Sequence, residues 1–349
     1  MTSLPVGVET RTVDTKRLET ALIESGDRDG DPVLFLHGNV SSSRFFAELL
    51  ADFPDDYYAV APDLRGFGAS ERQPIDATRG LRDFADDVRA LAETLALERP
   101  ALAGWSTGGG VALQYAIDTP TRVASLTLIN PVSPYGFGGT RRDGTSCQPD
   151  CAGTGGGLAN DEFVERLAAR DRTAEDGASP RNVLRSFYVA QGTELDSDLE
   201  DAYVEAMLDT ETGDEYYPGD ALPSENWPGV APGETGVNNA ISPKYCNLSD
   251  IVGVEPAPPI LWIRGSEDGI VANESFFDAG YLGQLDELPG WPGEESYPPQ
   301  PMVSQTRDVL EEYADSGGEY EELVIEGAGH SPHVERPVEV LEALVDHVG

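Results

Sequence analysis

Residues 103–110 read AGWSTGGG, Ala103 to Gly110, between the apolar residues 100–102 and the run VALQYAI, Val111 to Ile117. Apolar neighbours on both sides argue against a flexible linker. The spacing of Val111, Ala112, Leu113, Tyr115 and Ile117 suits a helix packed on a sheet. The glycines therefore read as a tight strand-to-helix turn, with Ser106 at its apex.

The same alternation extends outward in both directions. Residues Pro32–His37 (PVLFLH), Tyr57–Pro62 (YYAVAP), Ala101–Trp105 and Val123–Asn130 (VASLTLIN) read as buried strands. Between them lie FFAELLADF and the segment Leu81–Leu97, which sets Phe84, Val88, Leu91 and Leu95 on one helical face. Alternation of this kind predicts a largely parallel sheet covered by helices on both sides. A more polar stretch, Glu9–Ser25, would supply an antiparallel edge.

The pattern breaks after Pro131. Residues Tyr135–Gly157 are glycine-rich and carry Cys147 and Cys151. Helical segments then begin at Asp161, Arg181 and Leu199, and a turn-rich run begins at Tyr216. Strand signals resume at Pro259 (PILWIRG) and Glu322 (ELVIEG), and VEVLEALVDHV closes the chain as a helix. A proline-rich stretch, Tyr281–Pro301, separates those last two strands. The chain thus divides into a core of residues 1–134 and 255–349 and an inserted, mainly helical cap of residues 135–254. No internal repeat is evident.

Composition narrows the partners. In 349 residues, 23 basic residues stand against 63 acidic ones, a formal charge of −40, and Lys16 and Lys244 are the only lysines. Such a field repels nucleic acid and anionic membranes, which excludes both as expected partners. At molar salt the Debye length falls to about 3 Å and screens this repulsion, so the surface reads as an adaptation to concentrated salt, in a halophile's cytoplasm. The N-terminus, MTSLPVGVETRTVD, shows neither a basic start nor an apolar leader. No stretch reaches the roughly 18 apolar residues of a membrane span. Three cysteines make no disulfide framework, and without accompanying histidines Cys147, Cys151 and Cys246 make no convincing zinc site. A soluble, cytoplasmic chain without cofactor or metal is expected; its oligomeric state is not legible.

Ser106 alone is a weak nucleophile and needs a base, and the base needs a group to orient it. The carboxyl ends of parallel strands are where such groups converge. Ser266-Glu267-Asp268-Gly269 follows PILWIRG, and Ala328-Gly329-His330 follows ELVIEG, giving the order serine, acid, histidine.

With these residues the chain resembles the α/β-hydrolase superfamily. Gly104-Trp105-Ser106-Thr107-Gly108 matches its G-x-S-x-G nucleophile elbow, and the acid and histidine follow in the family's order. His37-Gly38-Asn39 is similar to its HG-x oxyanion loop, Asp63 to Ser70 to its D-x-R-G-x-G-x-S segment, and Gly329-His330 with Glu335 and Pro337 to the stretch around its histidine. The resemblance implies Ser106 as nucleophile, His330 as general base and Asp268 as the orienting acid. It also implies an oxyanion hole from the backbone N–H groups of Asn39 and Thr107. Trp105 and Trp227 are expected to contact substrate, with Phe187, Tyr188 and Tyr203 as further cap candidates.

Each assignment has a plainer rival: Ser106 as a helix cap, Glu267 as the acid, His333 as the base. His37, Asp63 and Arg65 read as loop ties, His333 as structural and His347 as solvated. The implied activity is hydrolysis of a carboxylic ester through an acyl-enzyme, in the manner of a serine esterase or lipase acting on a small molecule. The serine argues against a dehalogenase, whose elbow carries aspartate. A proline-iminopeptidase-like aminopeptidase, a carbon–carbon bond hydrolase and a non-enzymatic ligand receptor remain open.

Overall fold

The structure, a computed structural model, describes residues 4–349. Residues 1–3, the first part of the stretch read for a leader, lie outside the described residues. Eight strands form one sheet: β1 (Glu9–Asp14), β2 (Glu19–Gly26), β3 (Asp31–Leu36), β4 (Tyr57–Pro62), β5 (Ala101–Trp105), β6 (Leu126–Ile129), β7 (Ile260–Gly265) and β8 (Tyr320–Ile325). Their spatial order is β1-β2-β4-β3-β5-β6-β7-β8. β1 and β2 pair antiparallel with each other and β2 with β4, whereas every pair from β4 through β8 is parallel. The polar Glu9–Ser25 stretch is thus the antiparallel edge that its alternation predicts, and the apolar runs are the interior strands. β5 and β6 are buried at every residue. A strand covered on both faces can carry only apolar or small residues.

Helices α1 (Arg82–Thr94), α2 (Thr107–Asp118), α5 (Met302–Asp315) and α6 (Pro337–Val348) belong to this core; α3 (Asp161–Ala168) and α4 (Ser197–Leu208) belong to the insertion. α1 begins and ends within a few residues of the expected Leu81–Leu97 segment and buries Phe84, Val88 and Leu91. The sheet is interrupted between β6 and β7, over residues 130–259. Helix there is largely confined to α3, α4 and the turns between Pro180 and Tyr188; the rest is loop and paired strands of two or three residues. The insertion is less helical than its segments suggest, because the glycine- and proline-rich stretches between them cannot extend the helices. Main-chain bonds fasten it to the loop after β4, from Glu211 N–H to Gly66 O (2.8 Å) and from Ile75 N–H to Glu215 O (3.0 Å).

Register does the remaining work. Leu36 pairs with Gly104, Trp105 with Ile129, Ile263 with Ile129, and Gly265 with Ile325. The carboxyl ends of β3, β5, β6, β7 and β8 therefore lie in one row. The chain runs from β3 to β4 on one side and then to β5 on the other, so the order reverses between β3 and β5. In an open sheet that reversal opens a crevice at the strand ends.

Candidate active site

Ser106 follows β5 directly and precedes the first residue of α2, with φ 56° and ψ −120°. A non-glycine residue rarely adopts this conformation and must be held there by its neighbours. Ser106 N–H donates to Ile129 O (2.9 Å) and its carbonyl accepts from Val132 N–H (3.0 Å), so β6 and the chain beyond it grip the turn on both sides. The flanking glycines are sterically obligatory. A Cβ on Gly104 would lie 2.3 Å from Gly108 O, and one on Gly108 would lie 2.0 Å from Leu36 O. Gly38, beyond β3, packs so closely that a Cβ there would sit 2.9 Å from Ser106 Cβ.

His330 follows β8, and its Nδ1 lies 2.9 Å from Asp268 Oδ2 beyond β7. Both side chains are almost wholly buried. The other carboxylate oxygen of Asp268 accepts Ile270 N–H (2.7 Å) and Val271 N–H (3.1 Å), which fixes the acid before it meets the ring. Nδ1–H then donates to the carboxylate, and Nε2 is the nitrogen left for other chemistry. Glu267 is exposed, and it is Asp268 that His330 Nδ1 meets. Trp105, next to Ser106, donates its indole N–H to His330 O (2.8 Å), tying the His330 backbone to the elbow. Ser106 Oγ and His330 Nε2 form no hydrogen bond here. Catalytic hydrogen bonds of this kind commonly tighten only around substrate.

The HG-x loop closes the opposite side. Buried His37 lies with Nδ1 2.8 Å from Gly38 O, while Nε2 accepts Leu64 N–H at 2.9 Å. Burial holds this ring below the usual histidine range, so it stays neutral and serves as a loop tie. Asp63 accepts Ser43 N–H (2.9 Å) and Ala69 N–H (2.8 Å), and Arg65 pairs with Asp87 (2.5 Å), which gives both the loop-tying roles expected of them. The Asn39 amide side chain is turned away, donating to Asn238 Oδ1 at 2.8 Å. Thr107 is the first residue of α2, where a backbone N–H has no partner within the helix.

Three side chains make contacts that the sequence does not reveal. Asn130, beyond β6 at φ 39°, donates its amide to Gly329 O (3.0 Å) and His330 O (2.9 Å) and accepts Gly265 N–H (3.1 Å). Tyr188, delivered by a π-helical turn over Leu184–Tyr188, donates to Asn39 O (3.0 Å) and Val40 O (3.1 Å). Glu335 accepts Ala190 N–H and Gly329 N–H, each at 2.7 Å, which pins the insertion to the histidine loop. An asparagine ending an apolar strand just before a proline is the only local hint of Asn130. Tyr188 and Glu335 are legible as an aromatic and a motif residue, but not for these contacts. With Tyr188 in place Ser106 is 9% exposed and His330 2%.

The other residues singled out in the sequence serve mainly in packing. Trp105 is fully buried among Phe45, Tyr188 and His333, where it acts as a strut. Trp227 packs on Tyr297 and donates to Pro289 O (2.9 Å), so it braces the insertion against the proline-rich stretch. Tyr203 is buried on Phe45, and Phe187 meets Phe277 at the surface. His347, expected in solvent, has Nε2 3.1 Å from Leu126 O, because α6 packs its last turn on the sheet. His333 is buried between Phe46 and Trp105 and pushed down to about 3, chiefly by burial, as a structural histidine would be. Cys147, Cys151 and Cys246 are free thiols. Among the described residues no helix is long and apolar enough to cross a membrane.

The sequence model of the alpha/beta hydrolase fold family matches residues 31–143. The magnesium-chelatase 30 kDa subunit of Rhodobacter capsulatus is 36% identical over 99 residues, 28% of this chain and 34% of that protein. A fluoroacetate dehalogenase from a Burkholderia species is 32% identical over 132 residues, 37% of this chain and 43% of that protein. The chain spans about a third to two fifths of the length of these curated relatives. The solved structure of a carboxylesterase from Bacillus subtilis superposes with a TM-score of 0.60 at 17% identity, covering 99% of this chain and 93% of that one. At that identity the likeness carries the fold.

Proposed function

Since the chain has the α/β-hydrolase fold, we propose that it is a serine hydrolase that cleaves a carboxylic ester through an acyl-enzyme at Ser106. The observation that carries this reading is the elbow serine, at φ 56°, set on the strand end beside the buried His330–Asp268 pair. His330 takes the Ser106 proton as the hydroxyl attacks the ester carbonyl, and Asp268 stabilises the imidazolium that results. The backbone N–H groups of Asn39 and Thr107 receive the oxyanion, and donors of this kind are each worth about 3–4 kcal/mol of barrier. His330 then returns the proton to the departing alkoxide, and water attacking along the same path releases the acid.

The insertion acts as the cap that selects the ester, and Tyr188 is its side chain over the serine. Serine rather than aspartate at the elbow weighs against the chemistry named for the Burkholderia relative. The −40 charge supports working conditions of high salt, and three unpaired thiols support a reducing compartment.

The test is labelling with a fluorophosphonate in molar salt, together with a panel of p-nitrophenyl esters and aminoacyl-naphthylamides. Wild type is expected to label at Ser106 and to turn over esters faster, and Ser106→Ala to do neither. Asp268→Asn is expected to cost several orders of magnitude in kcat, and Glu267→Gln little. Faster cleavage of the naphthylamides would move the protein to the aminopeptidases. An unlabelled wild type would make the fold a receptor.

A further inference from the structure

On the HG-x side the proposed oxyanion donor is a single N–H group, and its direction is set by the peptide that carries it. Gly38 O accepts from Ser41 Oγ (2.7 Å) and from His37 Nδ1 (2.8 Å), the ring's Nε2 being taken by Leu64 N–H. In a trans peptide the N–H points away from the carbonyl. Asn39 N–H is therefore turned away from those partners, and it has none among the described residues. This peptide adjoins the elbow, since a Cβ on Gly38 would sit 2.9 Å from Ser106 Cβ.

The next residue is strained. Val40 has φ 45°, which a β-branched side chain rarely adopts and which persists only where neighbours hold it. Val40 N–H donates to Asn39 Oδ1 (3.0 Å), and the same amide donates from Nδ2 to Asn238 Oδ1 (2.8 Å). Tyr188 acts on the carbonyls that follow, of Asn39 and Val40, and leaves the Asn39 amide to Asn238.

Asn238 lies 199 positions away, on the helical turn Val237–Ala240 of the insertion. That turn is a firm mount. Val237, Asn239 and Ala240 are fully buried, and Val237 N–H donates to Tyr216 O (2.8 Å). The Asn239 side chain donates to Asp220 O (2.7 Å) and Thr235 O (2.6 Å) and accepts Gly156 N–H (2.9 Å), which knits the insertion together. Asn238 takes no part in that knitting. It is half-buried, and among the described residues its side chain makes one hydrogen bond, the one to Asn39.

We propose that Asn238 is a positioning residue for the oxyanion hole. From the insertion it clamps the Asn39 amide, which holds the strained Val40 and with it the direction of Asn39 N–H. The insertion thereby acts on the rate of the chemistry as well as on the choice of ester. The effect on rate rests on the ester reading; the clamp itself does not.

The experiment compares wild type, Asn238→Ala, Asn39→Ala and the double variant on p-nitrophenyl butyrate in molar potassium chloride, with rates taken per Ser106 titrated by fluorophosphonate. Asn238→Ala is expected to lower kcat about tenfold or more with KM within about twofold, because the donor acts on the transition state and not on the bound ester. Asn39→Ala breaks the same clamp. It should cost a similar factor, and the double variant should fall no further than either single one. Hydrogen exchange over His37–Ser41 should accelerate about tenfold in Asn238→Ala and stay at the wild-type rate in Asn238→Asp, which keeps an acceptor oxygen. The assignment is overturned if Asn238→Ala keeps the wild-type kcat, if its loss lies in KM alone, or if the two single losses multiply in the double variant. A wild type that neither labels nor turns over ester sinks the ester reading instead. Exchange then decides the clamp by itself, and an unchanged rate in Asn238→Ala overturns it.

Discussion

Asn130 joins the ends of β6, β7 and β8 through one side chain. Its amide contacts the histidine loop twice and the β7 end once, so one residue fixes the spacing of the two strand ends that carry His330 and Asp268. Asn130→Asp keeps the shape and tolerates the positive φ, yet turns a carboxylate oxygen toward two carbonyls. The expected result is a fall of about 10–100-fold in kcat on an activated ester with KM little changed, the equivalent of losing a buried hydrogen bond to a misaligned base. Steady-state kinetics on protein of unchanged circular dichroism checks it. His333 makes a second prediction. Among the described residues neither of its buried ring nitrogens has a partner, and its folded-state value of about 3 lies below the usual 6.5. The unfolded chain therefore takes up a proton there first as pH falls. Stability should be full above about 6.5 and decline from there toward 3, by at most about 1.4 kcal/mol per pH unit from this residue. His37 and His347, also lowered by burial, add to the same slope. His333→Phe fits the same aromatic nest, so its melting temperature should hold at pH 7 and decline less steeply on the acid side than wild type.

Among the elements, the segment from Tyr188, at the end of the π turn, to Thr193 is tied to both sides of the site. It is fastened at one end by the Tyr188 hydroxyl on the Asn39 and Val40 carbonyls, and at the other by Glu335 on the Ala190 N–H. Between these anchors it lies over the elbow and the histidine loop. Glu335→Gln leaves one oxygen where two acceptors are needed, and it sets an NH2 group against a backbone N–H. Amide hydrogen exchange at Ala190 and Gly329 should accelerate while the sheet strands keep wild-type protection. Tyr188→Phe removes only the hydroxyl anchor, worth about 1 kcal/mol. It should speed fluorophosphonate labelling of Ser106, read as the rate of active-site titration. An unchanged labelling rate would mean that this segment does not gate the serine.

At the scale of the whole molecule, charge dominates. Arginines are drawn into shared ion pairs, as where Arg17, Arg65, Arg79 and Arg89 surround Asp83, Asp86 and Asp87 around α1. These pairs still leave forty negative charges in excess. That repulsion acts across the surface and is screened as the Debye length contracts from about 10 Å at 0.1 M salt to about 3 Å at 1 M. Thermal unfolding in molar potassium chloride should occur at a higher temperature than in dilute buffer, by roughly 2 °C for each kcal/mol of repulsion relieved. Equal melting temperatures across that range would remove salt adaptation as the reason for the acidic surface.

The sequence by itself determined the order of strands and helices, the turn at Ser106, and which acid and histidine end the last two strands. These are local matters. Apolar periodicity and glycine placement depend on residues a few positions apart, and AGWSTGGG leaves a strand little choice but to turn sharply into a helix. Tertiary structure alone decided the rest. Asn130 meets His330 across 200 positions, and Tyr188 meets Asn39 across 149. Trp105 is tied to His330 O, 225 positions away, and Trp227 is turned to Pro289 O by a packing partner with no mark in its neighbourhood. Hydrogen bonds between loops depend on the register of the strands that carry them, and that register is set by the packing of the whole sheet.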